Sequence, residues 1–373
     1  MTSTRGSVRV VAVGAAFLLL SGCGGGAASG GGASPAAGGA AAAPAKDETL
    51  DNNAIPPTGV EGGPDFDLSG VEIVATSSPP GAVGAGTFFA YKRLEEWGAD
   101  VETVVITTTS GVQTILAGRA DIASQGSDEV VLGAAEGAEM MAIGAPSTAM
   151  DYVLIANTEI ATVADLQDQA IGISGPAGFD ALLTRFALEG EGMDPNADVN
   201  YVQIGGSPDR ASALLTGQVE AATILLEDWE ELSRQTDDLQ LVLFMAEIVP
   251  DFPASAYFGL AEYWEENPEV ALALACANLQ ANAFINSSED DYVDYVTQIV
   301  PGATEEAARV IWASGQEVNM WPTDPAEVFS VDGLGGLVDA MVETGDISEP
   351  VDPQSIADVS YLQEAADMGC GQA

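Results

Sequence analysis

The chain has 373 residues, 47% of them hydrophobic and 18% charged, which is more than one typical core needs and too apolar for a disordered polymer, so two lobes are expected. Ten Lys and Arg face 57 Asp and Glu, a formal net charge of −47, which leaves no basic stripe for nucleic acid and no attraction to an anionic membrane surface. Histidine is absent, so Ser-His-Asp triads, Cys-His dyads, His-ligated zinc and imidazole acid/base chemistry are excluded by inspection.

Arg5 and Arg9 precede the apolar run Val10 to Leu20, which is short for a membrane span and reads as a signal peptide over residues 1–22. It ends in Leu20-Ser21-Gly22-Cys23, which resembles the bacterial lipobox and implies cleavage before Cys23 and lipidation of its thiol. An exported protein is therefore expected, held on the outer face of the cell membrane by lipid alone. Residues 23–65, rich in Gly, Ala, Ser and Pro, read as a tether. The acids are spread along the whole chain and Lys46 and Lys92 are the only lysines, a balance that suits solubility in concentrated salt. Cys276 and Cys370 could form one disulfide in an oxidising compartment or remain two buried thiols; the sequence leaves both open.

From Val71 the chain alternates strands and helices, the pattern of an α/β protein with mainly parallel strands. The first set is a strand at 71–75, a helix at 87–97, a strand at 101–107, a helix at 112–117, a turn at 118–123 into a third strand, a helix at 128–135 and a strand at 140–144. A second set follows with a capped turn at 162–166, strands at 170–174, 199–204 and 223–226, and helices at 179–188 and from Ser207 to Leu215. Leu116 to Ile122 and Leu215 to Ala221 share the phrase Leu-x-Gly-x-x-acid, a sign of two similar lobes. Residues 239–248 are expected to recross, 253–260 to add a strand to the first sheet, and 268–285, 288–300, 304–313 and 325–343 to be helical. The expected lobes are 66–150 with 249–373, and 151–248.

Gln113-Thr114-Ile115-Leu116-Ala117-Gly118-Arg119-Ala120-Asp121-Ile122-Ala123, the run Val163 to Ile173, Ala213 to Ala222 and the late Asp358-Val359-Ser360-Tyr361-Leu362, in this order behind a lipobox, resemble the exported solute-binding proteins of the nitrate, sulfonate and thiamine-precursor type. The resemblance implies a two-lobed α/β fold of the periplasmic-binding-protein type 2 class, with two crossover strands, and delivery of a small molecule to an ABC permease. Open parallel sheets bind ligands beyond the carboxyl ends of their strands, where helix N-termini offer free N–H groups. Candidate ligand residues on such loops are Ser77, Ser78, Thr109, Ser110, Ser127, Asp128, Thr148, Ser174, Gly175, Ala177, Gly178, Glu227 and Asp228, with Tyr257 as a stacking aromatic beside Trp229, Phe252 and Trp321. For each hydroxyl, ordinary helix capping is the competing role. Arg210 is the one base near a cleft loop, so the acids favour a neutral or cationic heteroaromatic such as a pyrimidine; a small anion such as sulfonate or nitrate is the alternative. Neither glycine-rich loop matches a nucleotide motif. An enzyme of the same fold is the third reading, and the expectation is a monomeric binding protein without cofactor or metal.

Overall fold

The computed structural model describes residues 47–372 apart from 108, 149, 177 and 250. The expected signal peptide and Cys23 lie outside the described residues. In chain order the first part comprises β1 (Glu48–Thr49), β2 (Glu72–Ser77), α1 (Ala85–Glu96), β3 (Asp100–Val105), α2 (Gly111–Leu116), β4 (Ile122–Gly126), α3 (Ser127–Ala135) and β5 (Met140–Gly144). The second comprises β6 (Tyr152–Asn157), β7 (Ala170–Ile173), α4 (Phe179–Gly190), β8 (Asn200–Gln203), α5 (Ser207–Leu215), β9 (Ala221–Leu225), α6 (Leu226–Leu232) and β10 (Leu239–Phe244). The chain then returns through β11 (Ser255–Leu260) to α7 (Ala261–Glu266), α8 (Pro268–Ser287), α9 (Glu289–Ile299), α10 (Glu305–Glu317), α11 (Pro325–Val328), α12 (Val331–Glu343) and α13 (Ser360–Asp367).

Two sheets result, ordered β1-β3-β2-β4-β11-β5 and β10-β6-β9-β7-β8. Each is the floor of one lobe. The strands β3-β2-β4 and β8-β7-β9 pair in parallel, as βαβ units must. The strands that the crossovers deliver, β6, β10 and β11, pair antiparallel, so the expectation of mainly parallel strands holds within the first sheet and at one end of the second. The segment read as tether is folded in part: β1 extends the first sheet beside β3, Ile55 and Thr58 are buried, and the Thr58 N–H donates to Glu96 at 2.8 Å.

The repeated phrase has a physical basis. Gly118 and Gly217 both adopt positive φ, +64° and +67°, and each closes its helix through the same pair of backbone bonds. Gly118 N–H donates to Ile115 C=O and Arg119 N–H to Thr114 C=O; Gly217 N–H donates to Leu214 C=O and Gln218 N–H to Ala213 C=O. The acid that follows then accepts an N–H from the adjacent strand, Asp121 from Val74 at 2.8 Å and Glu220 from Ala170 at 3.1 Å. The phrase is thus a helix stop and a strand-pairing device in one.

The long helix α8 packs along α1, with Phe89 of α1 stacked on Phe284 of α8 at 5.0 Å. Cys276 on α8 is bonded to Cys370 after α13, which resolves the cysteine question for the pair and ties the C-terminal segment to the first lobe. The expected helix at 325–343 is two helices, because Ser330 caps a new one by accepting the Gly333 N–H.

Candidate functional site

The carboxyl ends of the inner strands of both sheets meet between the lobes. Several contacts show that the lobes touch there. Glu227 at the start of α6 accepts the Ala82 N–H at 2.7 Å from the loop after β2. A Cβ placed on Gly81 would lie 2.5 Å from the same carboxylate and would force it to shift, and one on Gly126 would lie in ordinary contact, 3.8 Å, with the Cβ of Phe179 on α4. Phe186 of α4 packs on Phe252 in the returning crossover with ring centroids 5.9 Å apart. On the other flank, Arg185 of α4 is paired with Asp346 and donates to the Pro176 carbonyl at 3.0 Å.

The loop that Glu227 holds is itself fixed from behind. Tyr292 of α9 donates its hydroxyl to Ala82 C=O at 2.9 Å, and Trp321 donates its indole N–H to Val83 C=O at 3.1 Å. Trp321 is therefore a buried support and not a stacking surface for a ligand. Tyr257 is likewise corrected: only 1% exposed, it lies beside Tyr91 in the core under α1, because β11 turns that face of its strand inward. Phe252 belongs to the hydrophobic core, and Trp229 packs on the cluster under α6.

Most of the expected hydroxyl ligands serve the fold. Ser110 caps α2 by accepting the Gln113 N–H at 3.1 Å, and Thr109 donates to Asp47 at 2.9 Å. Ser127 donates to the Pro253 carbonyl of the crossover. Thr148 donates to the carbonyls of Asn319 and Met320. Ser174 donates to Asp180 at 2.5 Å, and Gly178 caps α4 while its N–H donates to Gly175 C=O. Ser78 is exposed and meets the Gln125 amide at 3.1 Å. Ala177 lies outside the described residues. Ser77 differs: its buried hydroxyl has no hydrogen-bond partner.

The acids dominate the space between the lobes. Asp128, 4% exposed at the start of α3, has an oxygen, Oδ1, with no hydrogen-bond partner. Burial pushes its carboxyl well above the usual range, and the charges of Glu129 and of Asp180 across the cleft push the same way. Burial raises Asp151, on the first crossover, to about 7, with Glu227 and Asp228 adding to the shift. Glu227 is also raised to about 7 by burial, against the opposing pull of the Ala82 N–H. Asp228 is raised by burial while the Ser207 hydroxyl and Arg210 draw it back. The base set against this group is Arg210, whose Nε donates to the Thr223 carbonyl at 2.9 Å while lying 3.7 Å from Asp180, and whose Nη1 donates to the Gly205 carbonyl. Tyr152 at the start of β6 feels Asp151, Asp180, Arg210 and Asp128 together, which places it among them. It forms an edge-to-face pair with Phe179 at 5.7 Å.

Asp151, Tyr152, Phe179 and Asp180 were not among the expected site residues. A signal for the first two was present, since Asp151-Tyr152 opens the second set of strands just past a crossover. No local pattern marks Phe179 and Asp180 apart from any helix start.

A model of the family described as NMT1/THI5 like matches residues 94–290, more than half of the chain. The protein belongs to the NMT1/THI5-like family. A comparison with curated protein sequences returns no match. Solved structures share the fold of this family member. They include the periplasmic nitrate-binding protein NrtA from Synechocystis PCC 6803, with a TM-score of 0.66 at 12% identity over 82% of this chain and 90% of that one. The ligand-binding component of an ABC-type import system from Staphylococcus aureus gives 0.64 at 13% identity over 79% and 99%. A putative periplasmic sulfonate-binding protein, SsuA, from Methylobacillus flagellatus KT gives 0.61 at 15% over 83% and 97%. The NMT1/THI5-like chain therefore has the two-lobed fold of periplasmic binding proteins. The named neighbours are binding proteins and import components, not enzymes.

Proposed function

We propose that this protein is an exported solute-binding lipoprotein, anchored through Cys23, that captures a small organic molecule between its lobes and delivers it to an ABC permease. The family, the fold of its neighbours and the meeting of both lobes' strand ends support the binding reading. Chemistry in the cleft is carried by recognition: the chain has no histidine, and its cleft carboxyls are spent on N–H and hydroxyl partners or buried without a nucleophile beside them. The solute is a neutral or cationic heteroaromatic, pyrimidine-like compound. One observation carries that choice: Asp128, Asp151, Asp180, Glu227 and Asp228 gather there with Arg210 as the base beside them, 3.7 Å from Asp180, so the site favours a hydrogen-bond donor or a cation over a sulfonate or nitrate.

A thermal-shift screen of the purified protein in molar salt, against pyrimidines, amines, amino acids, sulfonates and nitrate, tests the reading. A ligand at a hundred times its Kd adds about 2.7 kcal/mol to the native state, enough for a clear rise in melting temperature. A saturable shift from a nitrogen heterocycle is expected. A shift confined to sulfonate or nitrate would overturn the ligand class, and none from any solute would overturn solute capture.

A further inference from the structure

We propose that the solute is an organic cation whose protonated nitrogen docks on Oδ1 of Asp128, with the Tyr152–Phe179 aromatic pair flanking the charge. The inference rests on the solute-binding reading above and narrows it from neutral or cationic to cationic.

A buried carboxylate oxygen without a donor is costly, since most buried polar atoms in folded proteins find partners. Glu129 beside Asp128 on α3 spends its carboxylate on the Val112 N–H at 3.0 Å, and Asp180 opposite takes the Ser174 N–H and hydroxyl. Arg210 is held by Asp180, Thr223 and Gly205 and does not reach across to Asp128. Both lobes therefore bring negative charge to one point, where the buried Oδ1 of Asp128, beside Gly126, has no hydrogen-bond partner.

Asp128 Oδ1 lies against Gly126, whose own added Cβ would sit 3.8 Å from the Cβ of Phe179, and Tyr152 is close enough to feel the Asp128 charge. Phe179 and Tyr152 come from the second lobe and Asp128 from the first, so a ligand bridging them would contact both lobes, which is what favours closure. A cation gains from the ring faces as well as from the carboxylate, whereas a neutral donor gains from the carboxylate alone and an anion from neither.

The test uses three isosteres on the purified full chain: 4-aminopyridine, protonated at neutral pH; aniline, uncharged; and benzenesulfonate, anionic. Calorimetry at pH 7.5 is expected to show saturable binding of 4-aminopyridine, about tenfold or more tighter than aniline, and none of benzenesulfonate. Asp128→Asn should remove that preference by weakening 4-aminopyridine by more than it weakens aniline. In the native protein, 4-aminopyridine should bind more tightly as pH rises from 5 to 8, because the cation needs Asp128 ionised against the opposing charges of Glu129 and Asp180 and the Tyr152 hydroxyl. This measurement needs no variant, so it decides the matter even where Asp128→Asn fails to fold. Equal binding of 4-aminopyridine and aniline, a preference for benzenesulfonate, a flat pH dependence or no binding of the three would each overturn the cation. Solute capture itself stands or falls separately, on the broad screen.

Discussion

At the residue scale, two of the three acids expected to hold ligand have different tasks. Glu227 reaches from the second lobe to the Ala82 N–H of the first, and Asp228 accepts from Ser207 within its own lobe. Glu227 is thus a fastener between lobes. Glu227→Ala removes it, and Gly81→Ala displaces it by putting a methyl 2.5 Å from its carboxylate. Either change is expected to raise the radius of gyration in small-angle X-ray scattering toward that of an open form without loss of helix content; an unchanged radius in both would refute the fastening role. The pH dependence of stability follows from the same group. Asp151 and Glu227 titrate near 7 in the fold, above carboxyls in an unfolded chain, so their contribution is full below about pH 4 and is lost as pH rises through about 7. Calorimetric melting temperature should therefore fall between pH 5 and pH 8. Asp151→Asn should flatten that fall relative to the native protein, which separates the local effect from general repulsion among surface acids.

At the scale of elements, the Leu-x-Gly-x-x-acid phrase is worth the same in both lobes because it does the same two jobs. Gly118→Ala and Gly217→Ala each force a Cβ into positive φ and are expected to cost about 1–2 kcal/mol. A lower urea midpoint at unchanged slope is the check. This phrase was legible in sequence because helix stops and strand starts are local. The same holds for Ser288, which caps α9 by accepting the Asp291 N–H, and for the Thr162 capping box. The break at Ser330 was missed because Pro325 to Glu343 keeps helical spacing throughout, and only the cap bond to Gly333 divides it.

At the scale of the whole molecule, the disulfide from Cys276 to Cys370 closes a segment with a sequence separation of 94 residues. On the chain-entropy account a loop of that size contributes about 4–5 kcal/mol, so reduction should lower the denaturant midpoint steeply; an unchanged midpoint would show that α8 and α13 hold the segment by packing alone. The sequence by itself determined the alternation of strands and helices, the two-lobed α/β fold and the acid excess. Those features follow from periodicity, turn chemistry and composition, which act over a few residues at a time. Tertiary structure decided which of the cleft groups are spent. Ser110, Ser127, Thr148 and Ser174 find partners inside the protein, Tyr257 and Trp321 are consumed by the core, and Asp128 keeps a buried oxygen without a hydrogen-bond partner. Partners such as Glu227 and Ala82, 145 residues apart, meet only when two lobes close on each other, and no local pattern encodes that distance.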